Sequence, residues 1–508
     1  MMDFVALLDQ QARTRPAQIA LRAQGRDWSY AALADAGQRA AAVLHAQGLR
    51  AGDRLALLCL NTPGFVFALL GAWRLGAAVV PINHKLQAPE LAYILQHSQA
   101  SVGVVDGTLA TRLPQAESTT RWLSTDSAAS GLADFDTLLE QASPEAHSAS
   151  LATAEALAQV LYTSGTTGRP KGCLHSHGNV FHAALSAALS TSLTPQDRSL
   201  IAMPVWHSSP LNNWLLGTLL VGGTVVLLRE YAPQAFLQTL QDERISFTFG
   251  APIAFLAPLS VVADVAAYDF SAMRLWTYGG GPLGADMARK LAQAYRSDRF
   301  MQVYGMTESG PLGSVLYPEE AIAKAGSIGR CAVPGVLLEV RHPDGRRCAP
   351  GETGEIHMRS MAMMQGYLDD ADATAAAFDA QGWYRSGDLA RLDADGYLYI
   401  VDRLKDMIVT GGENVYSKEV EDVLSTHPYV QDVAVVGRPH PEWGETVTAV
   451  LVLKPGHHWD EQGMQDFLAP RLARYKIPRR YELRDSLPRT ATGKLLKHVL
   501  REALRDGP

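Results

Sequence analysis

The feature that most constrains the fold is an alternation, up to about residue 310, of short apolar runs with longer Ala- and Leu-rich stretches of helical spacing. The apolar runs predict buried strands at 54–60, 101–105, 199–205, 224–228, 245–249, 275–278 and 301–304. Strands that alternate with helices form largely parallel sheets, whose ligands bind at the strand ends. We therefore predict an α/β fold with its functional residues in the loops that follow these strands.

Two later segments have a different character. From 333 to 401, short strands with turn signals at 343–345, 349–351 and 393–396 predict an antiparallel β subdomain. Beyond Asp402, a helix over 418–426 with Ser417 as N-cap, two apolar strands at 433–436 and 447–453, and an amphipathic helix after Gly493 predict a small α+β unit. The predicted domains are 1–401, which includes the β subdomain, and 402–508.

Composition excludes several classes of protein. Hydrophobic residues make up 47% of the chain and charged residues 19%, as in globular enzymes. The net charge is -7 and no basic run is present, so nucleic acid is not an expected partner. The four cysteines are far apart in sequence and form no C-x-x-C pair, so neither a disulfide framework nor a zinc site is expected. Without a secretory signal or an apolar stretch that could span a bilayer, a cytoplasmic location is expected.

The most informative motif is the segment 162–172, YTSGTTGRPKG. Its glycines allow close approach of the backbone, and its hydroxyl and N–H groups can bind an anionic oligophosphate. It is not a Walker A loop, because Gly172 follows Lys171 where that motif requires Ser or Thr. A surface turn between a strand and a helix is the alternative interpretation.

Four further motifs follow in order: YGMTE at 304–308, GWYRSGD at 382–388, DRLKD at 402–406 with GGEN at 411–414, and PRTATGK at 488–494. Together with the loop at 162–172 they resemble the adenylate-forming superfamily, which contains acyl-CoA synthetases, firefly luciferases and the adenylation domains of peptide synthetases. The resemblance spans nearly the whole chain and is strongest to acyl-CoA synthetases. It implies a large N-terminal domain of βα-built sheets, a small mobile C-terminal domain, and the use of ATP, Mg²⁺ and coenzyme A.

The resemblance also assigns the nucleotide and metal residues. Glu308, a carboxylate at a predicted strand end, suits Mg²⁺, and the family places the metal there, with Thr167 as a second ligand. Thr307 is similar to an α-phosphate contact, and Tyr304 to an adenine contact. The other expected nucleotide contacts are Thr163, Ser164, Gly165, Thr166, Gly168, Lys171, Asp388 and Arg403. Gly279, Gly280 and Gly281 leave a strand end without side chains, which suits a flat adenine, although a plain turn is the alternative.

Lys494 resembles the lysine that bridges the attacking carboxylate and the α-phosphate. Such a cation offsets the negative charge that these two groups bring together. Asp402 matches the hinge about which the C-terminal domain turns after adenylation. Because the segment around Lys494 resembles a loop acetylated in related ligases, a lysine acetyltransferase and a deacetylase are expected partners; a homodimer is left open.

The coenzyme A contacts are also inferred from resemblance. Gly411 and Gly412 match the strand along which the thiol arm enters, with a β-bulge as the alternative. Trp443, Tyr475 and Arg479 are similar to contacts in some aryl-CoA ligases. Ile477 departs from the family, which has a basic residue at this position.

The acid pocket is expected near Trp206, His207, Ser208, Asn213, Ala251 and Met306. His207 corresponds to an aromatic gate beside the carboxylate, with a core histidine as the alternative. No Asp stands here to pair with an amino-acid ammonium, and no Arg to pair with a second carboxylate. Ser208, Ser209, Asn212 and Asn213 could bind a polar tail or cap a helix. A medium-chain aliphatic or an aromatic monocarboxylate fits best.

The leading hypothesis is an ATP-dependent carboxylic acid:CoA ligase of the AMP-forming type. It would convert the acid to an acyl-adenylate with release of pyrophosphate, and then to acyl-CoA with release of AMP. The alternatives are an enzyme that delivers the adenylated acid to a carrier protein, and an inactive nucleotide-binding homologue.

Overall fold

The chain forms two units, described here from a computed structural model that covers residues 3–114, 120–144, 150–163, 170–281, 283–410, 413–489 and 495–505. The first unit contains Met1–Leu338 and Met358–Tyr384, and the second contains Glu339–His357 and Arg385–Pro508. Asp402 therefore lies inside the second unit; the division of the chain at Asp402 and its role as a hinge remain predictions. Among the described residues, no helix is both long and apolar enough to cross a membrane.

The strands that the structure describes are from two to eleven residues long. They are β1 (Ile19–Ala23), β2 (Arg26–Ser29), β3 (Arg54–Leu58), β4 (Ala78–Pro81), β5 (Val102–Asp106), β6 (Arg121–Thr125), β7 (Ala133–Asp134), β8 (Leu157–Thr163), β9 (Lys171–Ser176), β10 (Arg198–Ile201), β11 (Thr224–Leu227), β12 (Phe247–Gly250), β13 (Leu275–Gly279), β14 (Phe300–Gly305), β15 (Gly313–Leu316), β16 (Cys331–Ala332), β17 (Val336–Arg341), β18 (Thr353–Ser360), β19 (Gly366–Tyr367), β20 (Tyr384–Leu392), β21 (Leu398–Arg403), β22 (Ile408–Thr410), β23 (Glu413–Val415), β24 (Val430–His440), β25 (Gly444–Leu453) and β26 (Arg480–Leu483).

The α-helices alternate with the strands in the first unit, as predicted. They are α1 (Phe4–Thr14), α2 (Tyr30–Ala46), α3 (Pro63–Arg74), α4 (Ala88–Ser98), α5 (Phe135–Gln141), α6 (His177–Ser190), α7 (Leu216–Val221), α8 (Pro233–Asp242), α9 (Pro252–Leu256), α10 (Pro258–Val261), α11 (Ala285–Ala294), α12 (Pro318–Ala321), α13 (Ala371–Ala377), α14 (Ser417–Ser425), α15 (Glu461–Leu468) and α16 (Lys497–Arg505). A π-helical segment, Ser209–Leu215, leads directly into α7.

Two large sheets form the first unit. One has nine strands in the order β16-β15-β14-β13-β12-β10-β11-β1-β2, and the other has eight in the order β19-β9-β8-β4-β3-β5-β6-β7. The neighbours from β14 through β1 in the nine-stranded sheet pair in parallel, as do β8 with β4 and the strands from β4 to β7 in the other. The predicted α/β class with largely parallel sheets is confirmed.

Alternate side chains of a strand pack into different hydrophobic cores. In β3, Leu55 and Leu57 join a core shared with the nine-stranded sheet and helices α2, α3, α6 and α7. Ala56 and Leu58 point to the other face, where α4 covers them, because successive side chains on a strand face opposite ways. Every residue of α3 is buried. Both faces of this sheet are therefore covered, which explains its nearly continuous apolar strands.

The second unit holds smaller sheets. A four-stranded sheet in the order β17-β18-β20-β21 begins in the predicted β subdomain, and its β20 and β21 pair antiparallel. Another sheet has the strand order β23-β22-β25-β24, and β26 pairs with β25. Helices α14 and α15 pack on one face of that sheet around Val435 and Ala449, and α16 packs on the other around Val436 and Val450. The predicted small α+β unit is present.

Candidate active site

Four neighbouring parallel strands bring the predicted site residues to one edge of the nine-stranded sheet. The strands β10, β12, β13 and β14 lie side by side. They are followed respectively by Trp206 with His207 and Ser208, by Ala251, by Gly280 with Gly281, and by Met306 with Thr307 and Glu308. Because the carboxyl ends of parallel strands meet at the same edge, acid-pocket and nucleotide residues that are distant in sequence become neighbours.

The glycine run after β13 adopts a conformation that few other residues accept. Gly279 ends the strand, and Gly280 has a φ of +81°. No atom lies within 4 Å of the position a Cβ of Gly280 would take. The backbone there is both strained for other residues and open, as an adenine-binding surface requires.

A short turn after β14 carries Thr307 and Glu308. Thr307–Ser309 form a single 3₁₀ turn, in which the Ser309 hydroxyl donates to the Leu312 carbonyl and accepts from the Met306 N–H. The hydroxyl oxygens of Ser208 and Thr307 are 3.1 Å apart, within hydrogen-bond distance. The predicted α-phosphate contact and the predicted acid pocket are therefore joined directly.

A segment that we did not predict holds Glu308. This strap, residues 361–370, runs along β9: the N–H groups of Gln365 and Leu368 donate to the carbonyls of Leu174 and Gly172, both at 2.8 Å. The Met364 N–H donates to the Glu308 carbonyl at 2.9 Å. The Tyr367 hydroxyl donates to Glu308 Oε1 at 3.2 Å. Tyr367 carries no motif that the sequence analysis used, and only the pairing of β19 with β9 brings it here.

Lys171 and Thr163 lie opposite each other where the phosphate loop begins and ends. They are the last register pair of the antiparallel strands β8 and β9. The Lys171 ammonium is 3.6 Å from the Asp370 carboxylate and 5.1 Å from the centre of the Tyr367 ring. The strap therefore contacts both the predicted phosphate-binding lysine and the predicted metal-binding glutamate.

The residues present fit a magnesium ion. Glu308 offers a carboxylate, the hard oxygen ligand that Mg²⁺ prefers. Only Oε1 accepts a hydrogen bond from a described residue, so Oε2 is available to a cation. Glu308 would hold the ion, which would supply charge neutralisation for the phosphates; Thr167, the other predicted ligand, lies outside the described residues.

His207 stacks on Trp206, another residue of the predicted acid pocket, with ring centres 4.2 Å apart. Desolvation lowers the pKa of His207 to about 4, although the residue is exposed to solvent. With this pKa the imidazole is neutral at pH 7. The Trp206 indole N–H donates to His84 Nδ1 at 3.2 Å; the sequence analysis did not identify His84.

Two asparagines on the π-helical segment have unused hydrogen-bonding groups. Asn212 is completely buried, and neither its amide oxygen nor its amide nitrogen has a partner among the described residues. Asn213 donates to the Pro311 carbonyl at 3.0 Å, while its oxygen finds no partner in the same part of the chain. Buried polar atoms are rarely left unpaired, and π-helical turns are frequent at functional sites. The two side chains are therefore candidates for binding a polar group of a ligand.

In the second unit, Asp388 and Arg403 are brought together. They are register partners on β20 and β21, and Arg403 Nε is 2.7 Å from Asp388 Oδ1. Asp388 is only 4% exposed. Two predicted nucleotide contacts thus form one charged pair.

Asp402 caps a helix in the second unit. Its Oδ2 accepts hydrogen bonds from the Ser417 N–H, from the Ser417 hydroxyl at 2.8 Å and from the Lys418 N–H at 3.4 Å. The expectation that Ser417 itself is the N-cap was wrong: Tyr416 occupies that position, and the Asp402 carboxylate satisfies the N–H groups at the helix start.

Lys497 extends this arrangement. It donates to the Ser417 hydroxyl at 2.6 Å and pairs with Glu421 at 2.7 Å, with side-chain exposures of 11% and 13% for the ion pair. Glu421 also accepts the Val435 N–H at 2.7 Å. The predicted hinge residue is therefore linked through buried hydrogen bonds to α16.

The predicted coenzyme A contacts are partly assembled. The Arg479 guanidinium lies 3.5 Å from the centre of the Trp443 ring, and His440, which we did not predict, stacks on Trp443 at 4.2 Å. Tyr475 packs instead against the core of the unit, beneath the Lys476 ammonium. Ile477 packs against the same core, which gives a structural reason for an apolar residue there.

Several predicted site residues lie outside the described part of the chain. They are Ser164, Gly165, Thr166, Thr167, Gly168, Gly411, Gly412 and Lys494. Their assignments remain predictions.

Comparison with known proteins shows the family of the chain. The model of the AMP-binding enzyme family matches residues 8–368, and that of the AMP-binding enzyme C-terminal domain matches 419–494. The chain is 38% identical over 494 residues to a feruloyl-CoA synthase of Amycolatopsis, covering 97% of each chain. It is 34% identical to an indoleacetate–CoA ligase of Aromatoleum aromaticum, covering 99% of this chain and 98% of that one. Against a fatty acid–[acyl-carrier-protein] ligase of Streptomyces coeruleorubidus the identity is 35%, with 97% and 94% covered.

Among solved structures, that of o-succinylbenzoate CoA synthetase from Bacillus subtilis in complex with its acyl-adenylate intermediate has a TM-score of 0.85. It is 32% identical, with 99% of this chain and 98% of that chain covered. The fold and the site define an adenylate-forming enzyme. The chain belongs to the AMP-binding enzyme family, and most resembles its acyl-CoA synthetases.

Proposed function

We propose that this protein is an ATP-dependent carboxylic acid:CoA ligase that forms AMP. In the first step a carboxylate oxygen attacks the α-phosphorus of ATP, the bond to pyrophosphate breaks, and an acyl-adenylate forms. In the second, the coenzyme A thiolate attacks the acyl carbonyl and AMP leaves. The observation that carries the proposal is the contact between Ser208 and Thr307, because it joins the predicted acid pocket to the turn that bears Glu308, the proposed metal ligand.

Each residue contributes one part of this chemistry. Thr307 would donate to the α-phosphate, and Lys494 would bridge the carboxylate and that phosphate. Glu308 would hold Mg²⁺ against the phosphates. Asp388 would accept hydrogen bonds from the ribose hydroxyls, oriented by Arg403. Arg479 and His440 would hold Trp443 as a flat surface for coenzyme A.

For the acid, we propose an aromatic monocarboxylate with a hydrogen-bonding substituent. The stacked Trp206 and His207 offer a planar wall. Asn212 and Asn213 offer unused amide groups within a buried segment. The names of the feruloyl-CoA synthase and the indoleacetate–CoA ligase support this choice, because ferulate and indoleacetate are both aromatic acids with a polar group. A medium-chain aliphatic acid would leave the asparagines unpaired, at a cost.

The test is to incubate the purified protein with MgATP and matched acids, with and without coenzyme A, and to follow AMP, acyl-AMP and acyl-CoA by mass spectrometry. The acids are 4-hydroxycinnamate, cinnamate, indoleacetate and octanoate. We expect AMP and acyl-CoA together, with the hydroxylated acid preferred over cinnamate about tenfold or more. Turnover of octanoate alone would contradict the aromatic assignment but not the ligase.

Asn212→Leu tests the proposed contact. It should remove the preference for 4-hydroxycinnamate while leaving the rate with cinnamate largely intact. An unchanged ratio of kcat/KM values would exclude Asn212 as the contact.

Delivery to a carrier protein is a second candidate function, favoured by the similarity to a fatty acid–[acyl-carrier-protein] ligase. It predicts acyl-AMP without thioester when coenzyme A is the only thiol, and loading of a supplied phosphopantetheinyl carrier. A cytoplasmic location, control by acetylation of Lys494 and a homodimer are further parts of the proposal. Acetylation would block the first step by neutralising the cation.

A further inference from the structure

The strap places a neutral side chain between two opposite charges. The Tyr367 ring faces the Lys171 ammonium, and its hydroxyl donates to Glu308 Oε1. Lys171 pairs with Asp370, and in the described part of the chain it forms no ion pair with Glu308.

The hydrogen bond from Tyr367 leaves Glu308 able to bind a metal cation. A phenol donates a hydrogen bond without contributing a positive charge, so Glu308 keeps its full negative charge and a fixed orientation. A lysine or arginine in the same place would pair with the carboxylate and compete with a metal ion. The contact occupies Oε1 only, which leaves Oε2 for the metal.

The position of Tyr367 is itself well fixed. Its backbone pairs with Cys173 on β9, and its N–H donates to the Thr374 hydroxyl at 2.9 Å. Tyr384 is buried, and its side chain hydrogen-bonds that of Tyr367. Side chains held by such surrounding contacts can orient a metal ligand.

We propose that Tyr367 is a positioning residue for the metal–nucleotide site. It orients Glu308 toward Mg²⁺ and keeps Lys171 available to phosphate by preventing a Lys171–Glu308 ion pair. The inference rests on the proposed function, since it requires that the protein bind MgATP.

The experiment measures ATP binding by calorimetry, once with Mg²⁺ and once with EDTA. For Tyr367→Phe, which keeps the ring and loses the hydroxyl, we expect the Kd for ATP with Mg²⁺ to rise about three- to tenfold. The Kd in EDTA should not change, because Lys171 still faces an aromatic ring. Tyr367→Leu should weaken binding under both conditions, since Lys171 is then free to pair with Glu308.

Tyr231→Phe is the matched control. It removes a hydroxyl that donates to the Ala254 carbonyl at 2.8 Å, away from Glu308, and should leave both Kd values at the wild-type level. Equal losses for Tyr367→Phe with and without Mg²⁺, or no loss at all, would overturn the inference and leave the ligase standing. Failure of the wild-type protein to bind MgATP would overturn both.

Discussion

The polar groups around the predicted acid pocket of the first unit differ from the charged pairs of the second unit in how their hydrogen bonds are satisfied. In the first unit, the groups around the acid pocket are neutral and partly unpaired, as Asn212, Asn213 and His207 show. In the second unit, the corresponding groups are charged and paired, as in Asp388 with Arg403 and Lys497 with Glu421.

The difference indicates different tasks. Unpaired buried polar atoms cost free energy until a ligand satisfies them, so the asparagines of the first unit are candidates for binding a substrate. Buried ion pairs add little net stability, but breaking one is costly, and they can fix one arrangement of side chains. We infer that the second unit uses them to hold its functional residues in place.

The largest expected effect is a loss of stability when a charged pair of the second unit is broken. Lys497→Met leaves the Glu421 carboxylate buried without its cation and should lower the free energy of unfolding by about 3–5 kcal/mol. Urea titration of the full chain, followed by tryptophan fluorescence, measures the change. Arg489→Ala, which breaks the more exposed pair with Asp432, should cost about 1 kcal/mol or less. Similar costs for both variants would contradict the comparison.

The next effect concerns catalysis by the second unit. On the proposed assignment, Lys494→Ala should slow acyl-adenylate formation about 10²- to 10³-fold, because the variant loses a cation that would stabilise charge in the transition state. Conversion of supplied acyl-AMP to acyl-CoA should change far less. Rapid-quench measurement of each half-reaction separates them, and equal losses in both would refute the assignment.

A pH effect should come from the first unit. Desolvation lowers the pKa of the fully buried His177 to about 4. In the unfolded chain this histidine binds a proton below about pH 6.5, whereas in the folded chain it binds one only below about pH 4. The free energy of unfolding therefore decreases as the pH falls from about 6.5 to about 4. At pH 5 the loss from this residue should be about 2 kcal/mol.

His177→Leu should therefore be less sensitive to acid than the wild type. Comparison of urea midpoints at pH 7.5 and pH 5 measures this. His458→Leu, whose ring is exposed in the second unit, serves as the control and should keep the wild-type pH dependence. Identical pH dependence in His177→Leu and the wild type would show that His177 is not the group responsible.

The smallest effect should be on coenzyme A binding. Trp443→Ala removes the ring that Arg479 and His440 hold, and should raise the KM for coenzyme A about two- to thirtyfold. Acyl-AMP formation should not change. Tyr429→Ala, an exposed aromatic residue in the same unit, is the control. A slower first half-reaction in Trp443→Ala would argue for a structural role.

Much of the fold could be read from local patterns. The run at 275–278 is β13 (Leu275–Gly279), and the run at 301–304 is β14 (Phe300–Gly305). The strand predicted at 199–205 is too long: β10 ends at Ile201, and the residues after it are not in the sheet. Apolarity alone does not distinguish a buried strand from a buried loop.

The sequence by itself determined the class of fold, the order of the motifs and the residues that carry charge, because periodicity and short motifs are local properties. Only the tertiary structure decided which side chains meet. Tyr367 reaches Glu308 through a two-residue strand paired with β9, Asp402 caps α14 in place of Ser417, and His440 stacks on Trp443. These contacts depend on sheet order and helix packing, which bring together segments that are distant along the chain. Local sequence patterns therefore do not predict them.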